Sequence, residues 1–311
     1  MEIYYRGRTG KEFARIDTMV MTRKCVTRDT CGDRCDSLEI EFENAAGWYA
    51  WGPEEDDEII VRQDGYDSGL MFLHSVLPED GRFRILATAL PCAARKKEYK
   101  SYRGKTIEDI LRSCGVRTGM SFQTFGIDPK TPVPYIEQQE ESAAAFLYRL
   151  LKMEGAVLKC VNGNYTAIGL EYAQDRAAHQ TFRLDAQQRG VNYRRNGTKL
   201  KSVEIKTPYA QGKATDLMVP EHHTGVTISG LPATNDIQAG RWARNILRHC
   251  NLKCESLTMG TEYNPGFTAM TRIDVTGGTD ADGEWLITDV EHDLYNRKSH
   301  VKMNRCVGAV Q

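Results

Sequence analysis

The sequence lacks long apolar runs. Within its 311 residues, no stretch approaches the roughly 20 apolar residues that a membrane-spanning helix needs. The first residues, MEIYYRGRTGKEF, contain no apolar core of the kind found in a secretory signal peptide. We therefore expect no membrane insertion and no signal-directed export. A protein of this kind would leave the cell by another route or by lysis.

An excess of one charge is also missing. The chain has 41 Lys and Arg against 42 Asp and Glu, a net charge of −1. A chain dedicated to nucleic-acid binding usually carries a basic excess, so sequence-specific binding of nucleic acid is not expected. The apolar fraction of 41% is that of an ordinary folded protein, and the length allows two or three domains.

The cysteines lack the arrangement of a metal site or of a disulfide framework. Cys31 and Cys35 are separated by three residues, and so are Cys250 and Cys254 beside His249, whereas zinc knuckles commonly use C-x-x-C pairs. The cysteine count is odd, and no secretion signal accompanies it. We interpret them as small buried hydrophobic residues in strands. They stand at positions 25, 31, 35, 92, 114, 160, 250, 254 and 306.

Catalytic motifs are equally scarce. Residues 104–106, Gly-Lys-Thr, end like a phosphate-binding loop, but the upstream glycine that this loop requires is absent. No G-x-S-x-G nucleophile elbow occurs. Cysteine catalysis stays open, since a cysteine and a histidine need only meet in space. We predict no catalytic, cofactor-binding or metal site.

Two histidine clusters are the best candidates for acid–base or metal chemistry. One is Glu221, His222 and His223, and the other is His292 between Glu291 and Asp293. Neither has the spacing of a helical zinc motif, in which two histidines stand four residues apart. We interpret these histidines as solvated or hydrogen-bonded. A cytoplasmic metal-dependent hydrolase that uses His222 and His223 with some of the cysteines is the alternative.

Two other clusters have a structural and a functional interpretation. Trp48 and Trp51 flank a glycine-containing loop and favour packing at the end of a β-barrel, with a stacking site for carbohydrate or nucleic acid as the alternative. The acidic residues 54–58 favour a solvated loop, because they lack the alternating oxygen ligands around a glycine that form a calcium loop.

The two ends of the chain are predicted to be β-rich domains, residues 1–92 and 176–311. Residues 38–42 alternate between apolar and acidic side chains, as a half-buried strand does. In the second domain, Asn235 or Asp236 opens a helix near residues 236–250 with an apolar face at Trp242 and Leu247. Further strands are predicted at residues 57–62, 69–77, 82–90, 200–206, 225–228, 256–259, 271–275, 285–290 and 300–303.

Residues 93–175 are predicted to form a small α+β domain that follows a basic linker at residues 95–97. Thr106 with Asp109 caps a helix near residues 106–114 that stops at Gly115. Ser142 caps a second helix near residues 142–154, in which apolar residues recur at helical spacing.

A tight hairpin is predicted over residues 156–170. Gly155 stands where a helix end favours a left-handed residue. The apolar runs 156–161 and 165–170 are separated by Asn162-Gly163-Asn164. An Asn-Gly step between apolar runs predicts a hairpin turn, because both residues tolerate positive φ.

The run Tyr135–Leu170, which we call the signature run, resembles a known family. Its ordered residues are similar to those of the late control protein D family, the central baseplate hubs of contractile phage tails, which are related to the N-terminal part of type VI secretion spike proteins. Residues 106–111 and 242–303 also resemble this family. The resemblance is weakest over residues 1–35 and 176–235. The matching residues in the signature run are Gln138 or Gln139, Glu141, Ser142, Phe146, Leu147, Arg149, Leu150, Glu154, Gly155 and Ala156.

The resemblance implies an α+β, mostly β fold, with two tail-tube-like antiparallel β-barrel domains flanking a small α+β domain. A short internal sequence similarity, which we call the echo, falls within the two regions where those barrels are expected. Gly69 and Val76 stand seven residues apart in one segment, and Gly283 and Val290 stand seven apart in another. Residue identity alone makes this a weak similarity.

The resemblance also implies a structural function. The chain is expected to be a baseplate hub, a homotrimer that adapts the hexameric tail tube to a trimeric spike. Its partners would be the tube protein, a separate spike protein, and tape-measure and baseplate wedge proteins. It would assemble in the host bacterial cytoplasm and lie at the distal end of the tail. A tube or distal-tail subunit of a non-contractile tail is the alternative within this class.

Overall fold

The computed structural model of the chain describes residues 1–17, 21–32, 34–43, 52–79, 81–184 and 190–308. The N-terminal region consists of the strands β1 (Glu2–Arg6), β2 (Ala14–Arg15), β3 (Thr22–Thr30), β4 (Ser37–Glu43), β5 (Glu58–Gln63), β6 (Tyr66–Asp67), β7 (Met71–Glu79) and β8 (Arg82–Thr88). The central region follows with α1 (Cys92–Arg95), β9 (Lys97–Thr106), α2 (Ile107–Thr118), β10 (Ser121–Phe125), β11 (Pro132–Ser142), α3 (Ala143–Met153), β12 (Ala156–Val161), β13 (Asn164–Gly169) and α4 (Leu170–Asp175).

The C-terminal region is β-rich with one long helix. Its elements are β14 (Gln180–Arg183), β15 (Val191–Arg195), β16 (Ser202–Lys206), β17 (Gln211–Thr215), β18 (Gly225–Ile228), α5 (Asp236–Leu252), β19 (Glu255–Glu262), β20 (Arg272–Thr276), β21 (Gly283–Asp293) and β22 (Lys298–Arg305). The fold class is the predicted one: mostly β, with antiparallel β-units at both ends flanking an α+β region. Among the described residues, no helix is long and apolar enough to span a bilayer.

The strands of the N-terminal unit follow the predicted alternation. In β4 every second residue is buried, and in β8 the residues Phe83, Ile85 and Ala87 are at most 1% exposed. Burying one face of each strand in this way removes apolar area from water and fixes the register, since a shift by one residue would expose the whole face. The predictions for β4, β5, β7 and β8 are therefore confirmed.

The N-terminal and C-terminal units repeat one strand order. Hydrogen-bonded neighbours run β3-β4-β8-β7-β5 in the first unit and β15-β19-β22-β21-β20 in the second. Position along the chain agrees as well, since the members of each set occur in the order β3, β4, β5, β7, β8 and β15, β19, β20, β21, β22. The units differ at their margins, where β1 is antiparallel to β5 but β14 is parallel to β20.

Register and bulges repeat along with the strand order. Phe72 pairs with Glu58 in the first unit, and Leu286, which occupies the same place relative to the glycine of the echo, pairs with Arg272 in the second. The register of β7 with β8 shifts around His74, and that of β21 with β22 shifts around Thr288. Each of these bulge residues stands five positions after the glycine of the echo. The echo in the sequence therefore marks two equivalent strands.

One feature of the sheet was not predicted: the two β-units join edge to edge. Strand β21 pairs antiparallel with β3 from Asp289 opposite Thr30 to Asp293 opposite Val26. Arg28 and Glu291 form an ion pair across this joint, with 2.8 Å between Nε and Oε2. Within the described ranges, fourteen strands thus belong to one sheet. Boundaries at residues 92 and 175 remain a prediction.

The central region contains the predicted capped helices. Thr106 and Asp109 form a capping box at the start of α2, and the Ser142 hydroxyl accepts from the Ala145 N–H at 3.2 Å at the start of α3. The predicted stop of α2 at Gly115 is wrong. The helix runs to Thr118 and ends at Gly119, which has φ +72°. Gly115 is needed inside the helix because a Cβ there would lie 2.4 Å from the Met120 carbonyl oxygen.

Two other interpretations of this region need correction. The basic segment at residues 95–97 is not a linker, because it ends α1 and begins β9, which forms a two-stranded ribbon with β11. The second strand of the hairpin ends at Gly169, and Leu170 begins α4. The hairpin itself is confirmed: Asn162 and Gly163 have φ of +49° and +70°, as its turn requires.

Helix α5 and a small sheet complete the chain. Strands β17, β16 and β18 form a three-stranded sheet that contacts α5. The side chain of Asn235 accepts from the Gln238 N–H at 2.9 Å, which confirms the predicted start of the helix. Trp242 and Leu247 of α5 are fully buried in an apolar core that also contains α3 and the N-terminal strands. A second core around Trp285 lies in the C-terminal unit.

Candidate functional site

The first histidine cluster lies on the surface between β17 and β18. His222 is exposed and its ring meets that of His223 edge to face, with 4.8 Å between the centroids. The Nδ1 atom of His223 lies 2.9 Å from the Lys199 carbonyl oxygen. Glu221 pairs with Lys201, with 2.8 Å between Oε1 and Nζ. Glu221 and His223 bond to different residues, and the three side chains are not grouped as metal ligands.

His292 lies in β21 and is fully buried. Its Nε2–H donates to the Phe267 carbonyl at 3.1 Å, so Nδ1 accepts from the Ser299 hydroxyl at 2.9 Å. The rings of Tyr66 and Tyr263 approach it edge to face. Burial lowers the pKa of His292, because the charged imidazolium is poorly solvated there. Both ring nitrogens are occupied by structural hydrogen bonds, so His292 acts as a neutral core residue.

The cysteines are more varied than the sequence suggested. Cys25 and Cys160 are buried in strands as predicted, and burial raises the pKa of both thiols. Cys114 is buried in a helix and Cys92 is exposed, which corrects the prediction that all nine lie in strands. In the part of the chain that the structure describes, no three His, Cys, Asp or Glu side chains are grouped as metal ligands. Trp48 and Trp51 lie outside the described residues.

His249 faces one cavity that the sequence did not reveal. The cavity has a volume of about 320 Å³ and is also lined by Cys31, Lys253 and Lys302. Burial, with the nearby charges of Lys152 and Lys253, lowers the pKa of His249 to about 3. The imidazole is therefore neutral at physiological pH.

The signature run contains α3 and the residues that attach this helix to its surroundings. Arg149 of α3 makes two 3.0 Å hydrogen bonds to the carboxylate of Glu141. Gln138 is buried. Its amide nitrogen donates to the Glu141 carbonyl at 2.8 Å, and its amide oxygen accepts from Arg117 at 3.1 Å. Phe146 stacks on Tyr102 of the β9 strand, with ring centroids 5.3 Å apart. These contacts fix the helix on the β9–β11 ribbon.

The end of the same run anchors α5. The side chain of Glu154 is 1% exposed and accepts from Arg241 at 2.7 and 3.1 Å and from the Trp242 indole at 2.7 Å. Next to it, Gly155 has φ +78°, and a Cβ there would lie 2.6 Å from the Asn245 amide oxygen. The Asn245 amide in turn donates to the Met153 carbonyl at 2.9 Å. The residues that carry the sequence resemblance therefore make contacts between elements.

A buried charge cluster joins the hairpin to the shared sheet. Lys159 of β12 donates to the carboxylates of Asp29 and Asp36, and its Nζ lies 3.0 Å from Asp36 Oδ2. Each of the three residues is at most 9% exposed. Asp29 also accepts from the Ala269 N–H at 3.2 Å, and Asp36 from the Thr30 N–H at 2.9 Å. All three parts of the chain thus meet at one ionic cluster.

The charge balance of this cluster is uneven, with two carboxylates around one ammonium group. Burial raises the pKa of Asp36 to about 7, with Lys159 opposing the rise and Asp29 adding to it. Burial opposes the charged form of Lys159, but Asp29 and Asp36 together outweigh it and raise the pKa of Lys159, which stays charged. Lys159 breaks an otherwise apolar run in the sequence, and this was the only local signal. Its partners Asp29 and Asp36 lie 130 and 123 residues away, and the sequence around them carried no local signal of this cluster.

No protein-family model and no curated protein sequence matches the chain. Its fold matches the 43 kDa tail protein of prophage MuSo2 from Shewanella oneidensis, with a TM-score of 0.73 at 14% identity over 98% of both chains. It also matches a tail protein from Neisseria meningitidis MC58, with a TM-score of 0.75 at 10% identity over 98% of this chain and 96% of that one.

A third match extends the comparison to secretion systems. The E. coli c3393 protein, a type VI secretion component, matches with a TM-score of 0.60 at 13% identity over 99% of this chain and 77% of that chain. Identities this low carry information on the fold alone. The resemblance found in the sequence is confirmed at that level: the chain has the fold that phage tail proteins share with this secretion component.

Proposed function

We propose that the chain is a structural subunit of a phage tail or phage-tail-like particle, and that it forms the central hub of the baseplate. The observation that carries this proposal is the pair of equivalent β-units within one chain, with matching strand order, register and bulges. A subunit with two equivalent units presents two similar docking surfaces per copy.

The role follows from symmetry. A hexameric tube offers six equivalent contacts, and a trimeric spike offers three. Three copies of this chain in a closed ring supply six similar β-units on one face and three identical surfaces on the other. Cyclic assemblies of this kind use heterologous interfaces that repeat around the ring. A homotrimeric hub would therefore adapt the tube to the spike without a change in its own sequence.

Fold similarity supports the same assignment. The neighbours include a prophage tail protein from Shewanella oneidensis and a tail protein from Neisseria meningitidis. The E. coli c3393 protein is described as similar to the T4 tail proteins gp27 and gp5. A chain of a PdpA–VgrG complex matches with a TM-score of 0.55, and this chain covers 63% of its length. We propose that the spike which this hub contacts is a separate protein.

Deleting the gene in a producing strain tests the assignment. A hub subunit is needed to start the tail, so electron micrographs of lysates should show no complete tails, and expression of the wild-type chain in trans should restore them. Gold-labelled antibody against the chain should mark the distal tip of intact particles. Normal tails in the deletion strain, or label along the whole tube, would contradict the proposal.

A further inference from the structure

Several strands of the shared sheet have an edge without a hydrogen-bonded neighbour among the described residues, and β15 and β7 are two of them. Strand β15 pairs only with β19. Strand β7 pairs with β5 only at Met71 and Phe72, so beyond Leu73 it pairs only with β8. Unpaired strand edges are templates for pairing with another chain. The proposed ring gives these two edges a specific partner.

The equivalent strands show how such edges are used. By the repeat of strand order, β15 corresponds to β3, and β7 corresponds to β21. Within one chain β3 and β21 pair with each other. One further hydrogen bond lies at each end of this ladder. The Cys31 N–H donates to the Thr288 carbonyl at 3.2 Å, and the Leu294 N–H donates to the Cys25 carbonyl at 2.9 Å. The two free edges are thus the counterparts of two strands already joined.

We propose that β15 of one copy pairs antiparallel with β7 of a second copy of this chain, repeating the β3–β21 joint between chains. This inference rests on the proposed function, since it supplies the contact that closes the ring. Each chain would use one joint internally and contribute one edge to each of two joints with its neighbours. β-units of the two kinds would then alternate around a continuous sheet.

The repeat also fixes the register of this joint. Thr27 lies opposite Leu38 in the first unit as Tyr193 lies opposite Leu257 in the second. Cys25 opposite Ile40 likewise corresponds to Val191 opposite Met259. Transferring the β3–β21 register through these equivalences gives one set of pairs between chains. These are Ser75 with Asn196, Val76 with Arg195, Leu77 with Arg194 and Pro78 with Tyr193.

One pair makes this joint weaker than the internal one. Pro78 takes the place of His292, and proline has no N–H to donate across the ladder. The ion pair between Arg28 and Glu291 is also not repeated, since Leu77 takes the place of Glu291. Val76 and Leu77 are half-buried in the single chain and would gain burial in the joint. A weak joint suits an edge that must stay unpaired until the ring closes.

Engineered disulfides test the register in the purified full chain over a range of concentrations. Leu77→Cys with Arg194→Cys places thiols at a non-hydrogen-bonded pair, where Cα atoms about 4.5 Å apart fall within the roughly 4.4–6.8 Å range of a disulfide. Leu77→Cys with Asn192→Cys is the matched control, shifted by two residues on the same face. Arg28→Cys with Glu291→Cys tests the template joint and should close within one chain. The single variants control for the native cysteines.

The in-register variant should give covalent dimers and trimers on non-reducing gels after mild oxidation, while the shifted variant stays at the background of the single variants. A chain that is trimeric by light scattering but cross-links only in the shifted register, or not at all, would overturn this joint and leave the hub proposal standing. A chain that is monomeric at every concentration and forms no cross-link would also overturn it. Counting copies in the particle tests the hub proposal separately.

Discussion

Lys159 illustrates at the scale of single residues how the three parts of the chain are held together. Its ammonium group is shared by Asp29 and Asp36 in a region where each residue is at most 9% exposed. Removing charged groups from water is unfavourable, so a cluster of this kind adds little net stability relative to an apolar core. Removing one member, however, leaves buried charges without a partner. We therefore expect the cluster to make the docking of the hairpin specific.

Lys159→Met should lower the free energy of unfolding by about 3–5 kcal/mol, because two carboxylates stay buried without their counter-ion. Urea denaturation followed by circular dichroism would measure the change. Lys302→Met is the matched control, since Lys302 is exposed on β22 and surface changes usually stay within about 0.5 kcal/mol. Equal effects of the two substitutions would show that the cluster does not fix the hairpin.

Asp36 should make stability depend on pH. Its pKa in the folded chain is about 7, above the roughly 3.9 of an unfolded aspartate. A raised pKa means that the folded state binds the proton more tightly. The stabilising contribution is therefore complete below about pH 4 and is lost as the pH rises through about 7. Between about pH 5.5 and 8.5, this group should lower stability by about 2 kcal/mol.

Comparison with Asp36→Asn isolates this effect. The asparagine oxygen can still accept from the Thr30 N–H but does not titrate. The buried histidines His249 and His292 have lowered pKa values and so act with the opposite sign, in both proteins alike. The difference in unfolding free energy between wild type and variant should change with pH as described. A constant difference across this range would contradict the account.

At the scale of elements, helix α3 and its two ends organise the central region. Gly155 combines a left-handed backbone with close contact to Asn245, whereas Gly119 at the end of α2 has φ +72° and open space where a Cβ would stand, with no other atom within 4 Å. Both glycines thus require a left-handed backbone, but only Gly155 is in close contact with another side chain, that of Asn245. This difference allows the contribution of the α3–α5 contact to be measured.

Gly119→Ala should destabilise the chain by about 1–2 kcal/mol, the cost of a left-handed alanine. Gly155→Ala should add a further ~1–3 kcal/mol from overpacking, because Asn245 cannot retreat without losing its hydrogen bond to the Met153 carbonyl. Melting temperatures and urea midpoints of both variants would be compared. Equal losses of stability in the two variants would mean that Asn245 moves aside without cost and that its contact with Gly155 does not hold α5 in place.

Elements that are determined by nearby residues could be predicted from the sequence, and the contacts between distant elements could not. The helix caps at Thr106, Ser142 and Asn235 and the Asn162-Gly163 turn are fixed by short-range hydrogen bonds and backbone preferences. The start of β9 resembles a linker in sequence because the strand shows no alternation: most of its side chains are exposed, and Tyr102 alone in the strand is buried. The β3–β21 joint and the Lys159 cluster depend on residues more than 100 positions apart, beyond any local pattern.

At the scale of the whole molecule, the repeat of β-units explains how one chain could serve two symmetries. The two units share strand order, register and bulge position, while the inserted sheet of β16–β18 and helix α5 belongs to the second unit alone. Surfaces made by the repeated strands would be similar six times around a trimeric ring. Surfaces made by the inserted elements would occur three times, as contact with a trimeric spike requires.

Interfaces in such a ring are expected to be large, because obligate interfaces bury more than the standard value of about 1,600 Å². The isolated chain can nevertheless be monomeric in dilute solution if the tube and the spike drive ring closure by mass action. The state of the purified chain is therefore less informative about the hub role than its state in the particle.

The number of copies per assembled tail tests the central claim most directly. Quantitative mass spectrometry of purified particles, with an isotope-labelled standard for this chain, would give that number, and averaged images of the tail tip would give its symmetry. A trimeric hub gives three copies in one ring, with the two kinds of β-unit alternating around it. Six copies per ring would contradict it, because each chain would then occupy a single position of the sixfold tube.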